Sequence, residues 1–458
     1  MAPLSRSASM RIASALVLGL TVVGGNAGAV AGASGPYLVK DILPSGGSIP
    51  RELTDVNGTL FFTAKDESSG RELWTTDGTP EGTQRIKDIR PGSAGSTPLR
   101  LEAVGDRLYF SADDGATGRE LWISDGTELG TKRVKDIRPG APAGDPRGFT
   151  PYNDNVYFSA DDGVTGVELW RTDGTPTGTR RVKDIRTGPD SSYPGAFVEF
   201  AGKLYFIRSG ATYSERVLYK TDGTAKGTKA VRGSSGAPVR GAIGDEESGD
   251  PDAGPGLTVA GANLYFCLDE LELWRSTGTA AGTKKLADLG TFKITSAGGH
   301  AFLHQRHYWS GETGHLFPDE LWKSDGTKAG TTMIASTAAE NPVDVDGTLF
   351  FFSEGGIWTS DGTSAGTQPV GVDVRASVGA YGYARSLAVL DSVLYFNGFL
   401  DGEGAERLWR SDGTFDGTHV VSATPSSQAL SNITGAGDTI FFTATAGGHG
   451  NELWAFVP

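Results

Sequence analysis

The chain has 458 residues, with 41 Lys and Arg against 55 Asp and Glu, for a formal net charge of −14. An acidic balance of this size argues against a nucleic-acid or anionic-membrane surface, because both need a basic patch. The chain also holds 67 glycines, 22 prolines and one cysteine, Cys267. That composition favours many short strands and turns over long helices, and it excludes an internal disulfide.

Residues 1–33 read as a secretory signal. Arg6 and Arg11 precede the apolar run Ile12 to Val23, and small residues follow in Ala27-Gly28-Ala29 and Ala31-Gly32-Ala33, two possible cleavage points. The run is shorter than the ~20 apolar residues of a spanning helix. The expectation is a secreted, extracellular protein with no membrane insertion and no lipid anchor, since neither cleavage point carries a cysteine. Loss of the two leader arginines takes the net charge to −16.

From residue 37 onward one phrase recurs. Glu72-Leu73-Trp74 precedes Asp77-Gly78-Thr79 and Gly82-Thr83, and the same pattern restarts at Glu120 and Glu168, so that Trp74, Trp122 and Trp170 are 48 residues apart. Further copies centre on Tyr219, Trp274, Trp322, Trp358, Trp409 and Trp454. The units fall near 51–92, 98–140, 148–188, 196–233, 256–290, 293–336, 340–374, 385–424 and 429–458. In the first unit, Asn57-Gly58 between apolar runs is a hairpin signal. A polar loop from Lys65 to Gly70 then leads to a third strand, and the Asp77 to Thr83 turn to a fourth. Each unit is therefore an antiparallel four-stranded meander.

Second strands such as Leu108-Tyr109-Phe110, Val156-Tyr157-Phe158 and Ile440-Phe441-Phe442 are apolar at consecutive positions, which means burial on both faces. Blades stacked around an axis meet that requirement, whereas a sandwich leaves one face of each sheet polar. The last unit stops after Glu452-Leu453-Trp454 without a fourth strand, and Tyr37 to Ile42 matches a fourth strand with nothing before it. The predicted fold is an all-β, closed β-propeller of about nine four-stranded blades, with the last blade completed by the N-terminal strand at 37–43. Eight or ten blades remain alternatives.

The phrase resembles a family of bacterial exported proteins named for the Glu-Leu-Trp-x-x-Asp-Gly-Thr repeat, and eight turns carry its Gly-Thr-x-x-Gly-Thr core. The resemblance implies secretion and a repeat-built β fold. It implies no activity and no catalytic residue.

The repeated residues have structural readings. Asp77, Asp125, Asp173 and Asp325 close Asx-turns, the glycines after them supply positive φ, and the threonines cap the hairpin. Trp74 and its equivalents fill the space between blades. Lys87-Asp88, Lys135-Asp136 and Lys183-Asp184 lie on the outermost strand, where charge discourages edge-to-edge pairing or docks a partner.

Variation falls on the face that carries the second-to-third-strand loops. Asp66, Asp113, Asp114, Asp161 and Asp162 lie there and are candidate ligand-face residues, as are His307 and Trp309 in the sixth unit. Asp113, Asp114, Asp161 and Asp162 offer the hard oxygens that calcium prefers, although the spacing fits no EF-hand and solvated hairpin loops explain them equally well. Two segments break the repeat. One is an insertion at 233–256 with the acidic stretch Asp245-Glu246-Glu247. The other is the set His300, His304, His307 and His315, whose metal-binding reading is zinc.

The chain has no Ser-centred nucleophile elbow, no His-Glu-x-x-His and no phosphate loop. The leading expectation is a monomeric binding or scaffold protein whose loop face holds an extracellular polysaccharide, a cell-wall component or a protein. The alternatives are a hydrolase or lyase with a site over the central channel, and a purely structural surface protein.

Overall fold

A computed structural model of the chain describes residues 35–458 except 211–215, 242–255, 269–271, 290–292, 306–307, 310–315, 318, 354–355, 373–374, 377–385, 400–404 and 422–429. The candidate signal, His307 and most of the 233–256 insertion lie outside the described residues. Nine four-stranded antiparallel blades form a ring. The first blade pairs Arg51–Val56, Thr59–Asp66, Gly70–Thr76 and Gln84–Lys87 in that order from the axis outward. The ninth blade is built from Ser431–Ala436, Thr439–Thr445 and Asn451–Phe456, and Tyr37–Lys40 supplies its outermost strand. Tyr37 lies opposite Ala455 and Leu38 opposite Trp454, so the ring closes between the two ends of the described chain.

Two-residue turns join the first and second strands. At Asn57 and Gly58 both φ values are positive, 51° and 85°, the type I′ geometry whose twist matches that of the flanking strands. Second strands are buried on both sides: Phe62, Phe110, Phe158 and Phe442 are wholly inaccessible, each contributing on the order of 1.5–3 kcal/mol by burial. The core is therefore a series of wedges between blades. One wedge joins Phe61, Leu73 and Ile86 of the first blade to Leu108, Phe110 and Trp122 of the second, and another joins Val39, Phe441 and Leu453 to Leu60, Phe62 and Trp74 across the closing seam. The tryptophans thus pack between blades, as the repeat predicts. Cys267 is buried in the second strand of the fifth blade.

The sixth blade carries a short two-stranded extension, Tyr308–Trp309 pairing with Leu316–Phe317, made of aromatic and aliphatic strand formers. One feature departs from the sequence reading. The closing strand is four residues long, ending at Lys40 and not at residue 43.

Candidate functional site: the loop face

The two faces of the ring differ in chemistry. On the turn face, Asp77 Oδ1 accepts from the Thr79 amide (2.9 Å) and hydroxyl (2.7 Å). Thr79 Oγ1 accepts in turn from the Gly82 amide at 2.9 Å, and the Thr76 and Thr83 hydroxyls meet at 2.7 Å. A side chain at Gly82 would begin 2.0 Å from the Asp77 carboxylate, which explains the second glycine of the repeat. The same bonds recur around Asp125, Asp173, Asp222, Asp325, Asp361 and Asp412. This face satisfies its own polar groups and repeats itself.

The lysines of the outermost strands serve those turns. Lys40 Nζ donates to Thr83 O (2.7 Å), Lys87 to Thr131 O (2.9 Å), Lys135 to Thr179 O (2.8 Å) and Lys183 to Thr228 O (2.7 Å). Each lysine crosses to the turn of the next blade. The edge-charge reading of these lysines is therefore replaced by a staple between blades, because the outermost strand lies within reach of its neighbour's last carbonyl.

A second device sits on the loop face and was missed in the sequence. The repeat's glutamate is buried and holds the connector leading to the next blade. Glu72 accepts from the Ser96 amide (2.8 Å) and hydroxyl (2.5 Å), Glu168 from the Ile185 amide (2.9 Å) and the Ser192 hydroxyl (2.7 Å), and Glu452 from the Ser48 amide (2.8 Å) and hydroxyl (2.5 Å). Glu120 has Gly144 in the serine's place and accepts from the amides of Ile137, Arg138 and Gly144. Burial raises the carboxyls of Glu72 and Glu168 above the usual range and pushes Glu120 up to about 7, with Asp136 adding to the effect. The available signal was a serine 24 residues after Glu72 and again after Glu168.

The acidic candidates are also held by the protein. Asp113 Oδ2 accepts from Arg90 Nη1 at 3.0 Å and Asp161 Oδ2 from Arg138 Nη1 at 2.5 Å, each arginine arriving from the preceding blade. Asp114 and Asp162 accept from Arg133 and Arg181, both at 3.0 Å, and from amides of their own loops. Asp66 pairs with Arg85 at 3.3 Å and accepts from the Ser68 and Ser69 amides. Desolvation pushes the Asp66, Asp114 and Asp162 carboxyls up, but the amides and hydroxyls of their own loops outweigh it and hold all three below the ordinary value. These are Asx-turns closed by a guanidinium. Among the described residues no three His, Cys, Asp or Glu side chains converge as a metal would need.

The histidines separate as well. His300 and His304 stand at positions one and five of one strand, about 13 Å apart at the strand rise, too far to share a zinc ion bound at ~2.1 Å. Trp309 lies on the hairpin extension of the sixth blade.

One part of the loop face differs from its equivalents. A cleft of about 740 Å³ opens beside the first blade's loop, lined by Leu43, Lys65, Arg71, Ser93 and Thr97 among others. Leu43 occupies the repeat position of Arg90 and Arg138, and Lys65 that of Asp113 and Asp161. The ion pair that crosses the next two seams is thus absent from the seam that closes the ring.

No protein-family profile matches the chain, and no curated protein does. Among solved structures, similarity extends to the computationally designed Ika8 protein at 11% identity and TM-score 0.41, over 92% of this chain and 99% of that one. A puromycin hydrolase is similar at 14% identity and TM-score 0.41, over 80% of this chain and 52% of that one, so the chain spans about half that enzyme's length. The β-propeller domain of the Trilobed protease from Pyrococcus furiosus is similar at 11% identity and TM-score 0.34, over 85% and 98% of the two chains. At this level the similarities carry no functional argument.

Proposed function

We propose that this protein is a secreted binding or scaffold module, of the kind its Glu-Leu-Trp-x-x-Asp-Gly-Thr repeat resembles, and that its loop face recognises a polysaccharide or cell-wall component. The observation that carries the reading is the inequality of the two faces. Turns that repeat the same bonds blade after blade have no position for a distinct ligand, whereas the loop face changes from blade to blade and holds an open cleft. The acidic charge suits a soluble extracellular protein. No helix among the described residues is long and apolar enough to cross a membrane.

The test is the melting temperature of the protein with soluble cell-wall and plant polysaccharides, with calcium and with a chelator, since a ligand of the folded state raises it. A rise with a glycan supports recognition. A rise with calcium alone assigns the Asp113 and Asp161 loops an ion-dependent role instead, and no shift across the panel sinks both.

A further inference from the structure

Arg71 is a buried charge on the loop face. It is only 7% exposed, and its Nη1 donates to the carbonyl and hydroxyl of Thr63 at 3.1 and 3.2 Å. Among the described residues no carboxylate pairs with it. Its counterpart Arg119 lies in the field of Asp145 and Asp113, but the repeat positions of those two acids near Arg71 are Thr97 and Lys65. Burial, with Arg51 close by, lowers the Arg71 guanidinium to about 10. A buried cation without a counter-charge is costly unless something supplies one.

The cleft is where such a charge would enter. Arg71 and Lys65 both line it, and no ion pair of Lys65 exists among the described residues. The walls are set by close backbone packing: a Cβ at Gly70 would lie 2.6 Å from Ser93 O, and one at Gly95 would lie 2.3 Å from the Arg71 amide. Ser45, Ser93, Asp66 and Glu67 line the same space, and Asp66 is already paired with Arg85 at 3.3 Å. The volume belongs to the roughly 300–1,000 Å³ class that admits molecules larger than an inorganic ion.

We infer that the cleft between the closing seam and the first blade's loop binds the carboxylate of an acidic saccharide. The carboxylate sits against Arg71 and Lys65, since a guanidinium fork matches two carboxylate oxygens. The sugar hydroxyls lie among Ser45, Ser93 and Glu67, the last of which accepts hydrogen bonds from hydroxyl groups but repels a second negative charge. This inference rests on the polysaccharide reading above and assigns it a site and a ligand class.

The experiment titrates the full chain with D-glucuronate and with D-glucose by calorimetry, alongside sodium sulfate and sodium acetate. D-glucuronate is expected to bind and glucose not to. Lys65→Asp places beside Arg71 the acid found in the next two blades, and should weaken glucuronate at least tenfold with the fold intact. Leu43→Arg combined with Lys65→Asp should rebuild the seam ion pair and abolish binding. Unchanged affinity in Lys65→Asp, or no glucuronate binding, overturns the inference, and equal binding of sulfate or acetate overturns its saccharide part. A polysaccharide that stabilises wild type and Lys65→Asp alike would leave loop-face recognition standing while this site fails. Glucuronate binding with no polymer response would do the reverse.

Discussion

The arc running from the ninth blade through the first to the third differs from the fifth and sixth blades in how neighbouring blades are tied. In the first arc the repeat's glutamate reaches forward to the connector, and a lysine reaches forward to the next turn. In the fifth and sixth blades Glu272 and Glu320 turn back and accept from their own Trp274 and Trp322 Nε1 at 2.8 Å, and the lysine position holds Ala287 and Ala335. The exchange has a cost in the first arc, where Nε1 of Trp74, Trp122, Trp170 and Trp454 is buried without a partner. A buried unpaired N–H costs ~1–3 kcal/mol. One glutamate thus ties two blades or satisfies one indole, and the ring uses both arrangements.

The largest test of this contrast is deletion of residues 37–40, which removes the closing strand and leaves Phe441 and Leu453 uncovered at the seam. We expect loss of the single cooperative denaturant transition, read by tryptophan fluorescence and circular dichroism. Next, Glu452→Ala should destabilise by about 3 kcal/mol, since it leaves the buried Ser48 amide and hydroxyl without their charged acceptor. Glu320→Ala should cost less than about 1 kcal/mol, because it frees only one partly buried indole N–H. Equal losses in urea melts would erase the distinction between the arcs.

The pH response sharpens the same point. The folded-state pKa of Glu120 lies above its unfolded value, so its contribution is fully present below about pH 4.5 and is lost as pH rises through about 7. Asp114 and Asp162 have the opposite sign: their contribution is present above their ordinary pKa and disappears on acidification. Glu120→Gln should flatten the fall in melting temperature between pH 5 and 7, and an unchanged slope would show that Glu120 does not set it. Lys135→Met should cost about 1 kcal/mol through loss of a charged hydrogen bond to Thr179. The smallest effect is expected at Thr277, which stands where other turns carry aspartate. Thr277→Asp should stabilise by roughly 0.5 kcal/mol by giving the Thr279 amide an acceptor.

Much of the architecture was legible because it rests on local pattern. The unmatched segment at Tyr37 implies closure once the repeat pattern matches it to the unit around Trp454, and consecutive apolar residues such as Leu108-Tyr109-Phe110 imply burial on both faces without reference to any distant residue. The Asp77 turn was legible for the same reason, since its donors lie within six residues. The glutamate clasp was not, because its partner belongs to a connector whose length varies: Ser48 follows Asp41 by seven residues and Ser96 follows Asp88 by eight. Asp113 and Asp161 could be placed on the loop face from sequence, but their arginine partners depend on the rotation between blades. The cleft was visible only as two substitutions, Leu43 and Lys65, whose adjacency arises from the ring itself.

The closing pair Tyr37 and Ala455 joins residues more than 400 positions apart. During synthesis, every wedge from the first blade to the eighth can form behind the ribosome, but Tyr37–Lys40 has no partner until Asn451–Phe456 emerges. Assembly of the last sheet is therefore a loop-closure event, slow relative to neighbouring hairpins. Circular permutants that open the ring elsewhere would convert that last event into an early one while keeping the Tyr37–Ala455 pairing of the finished ring.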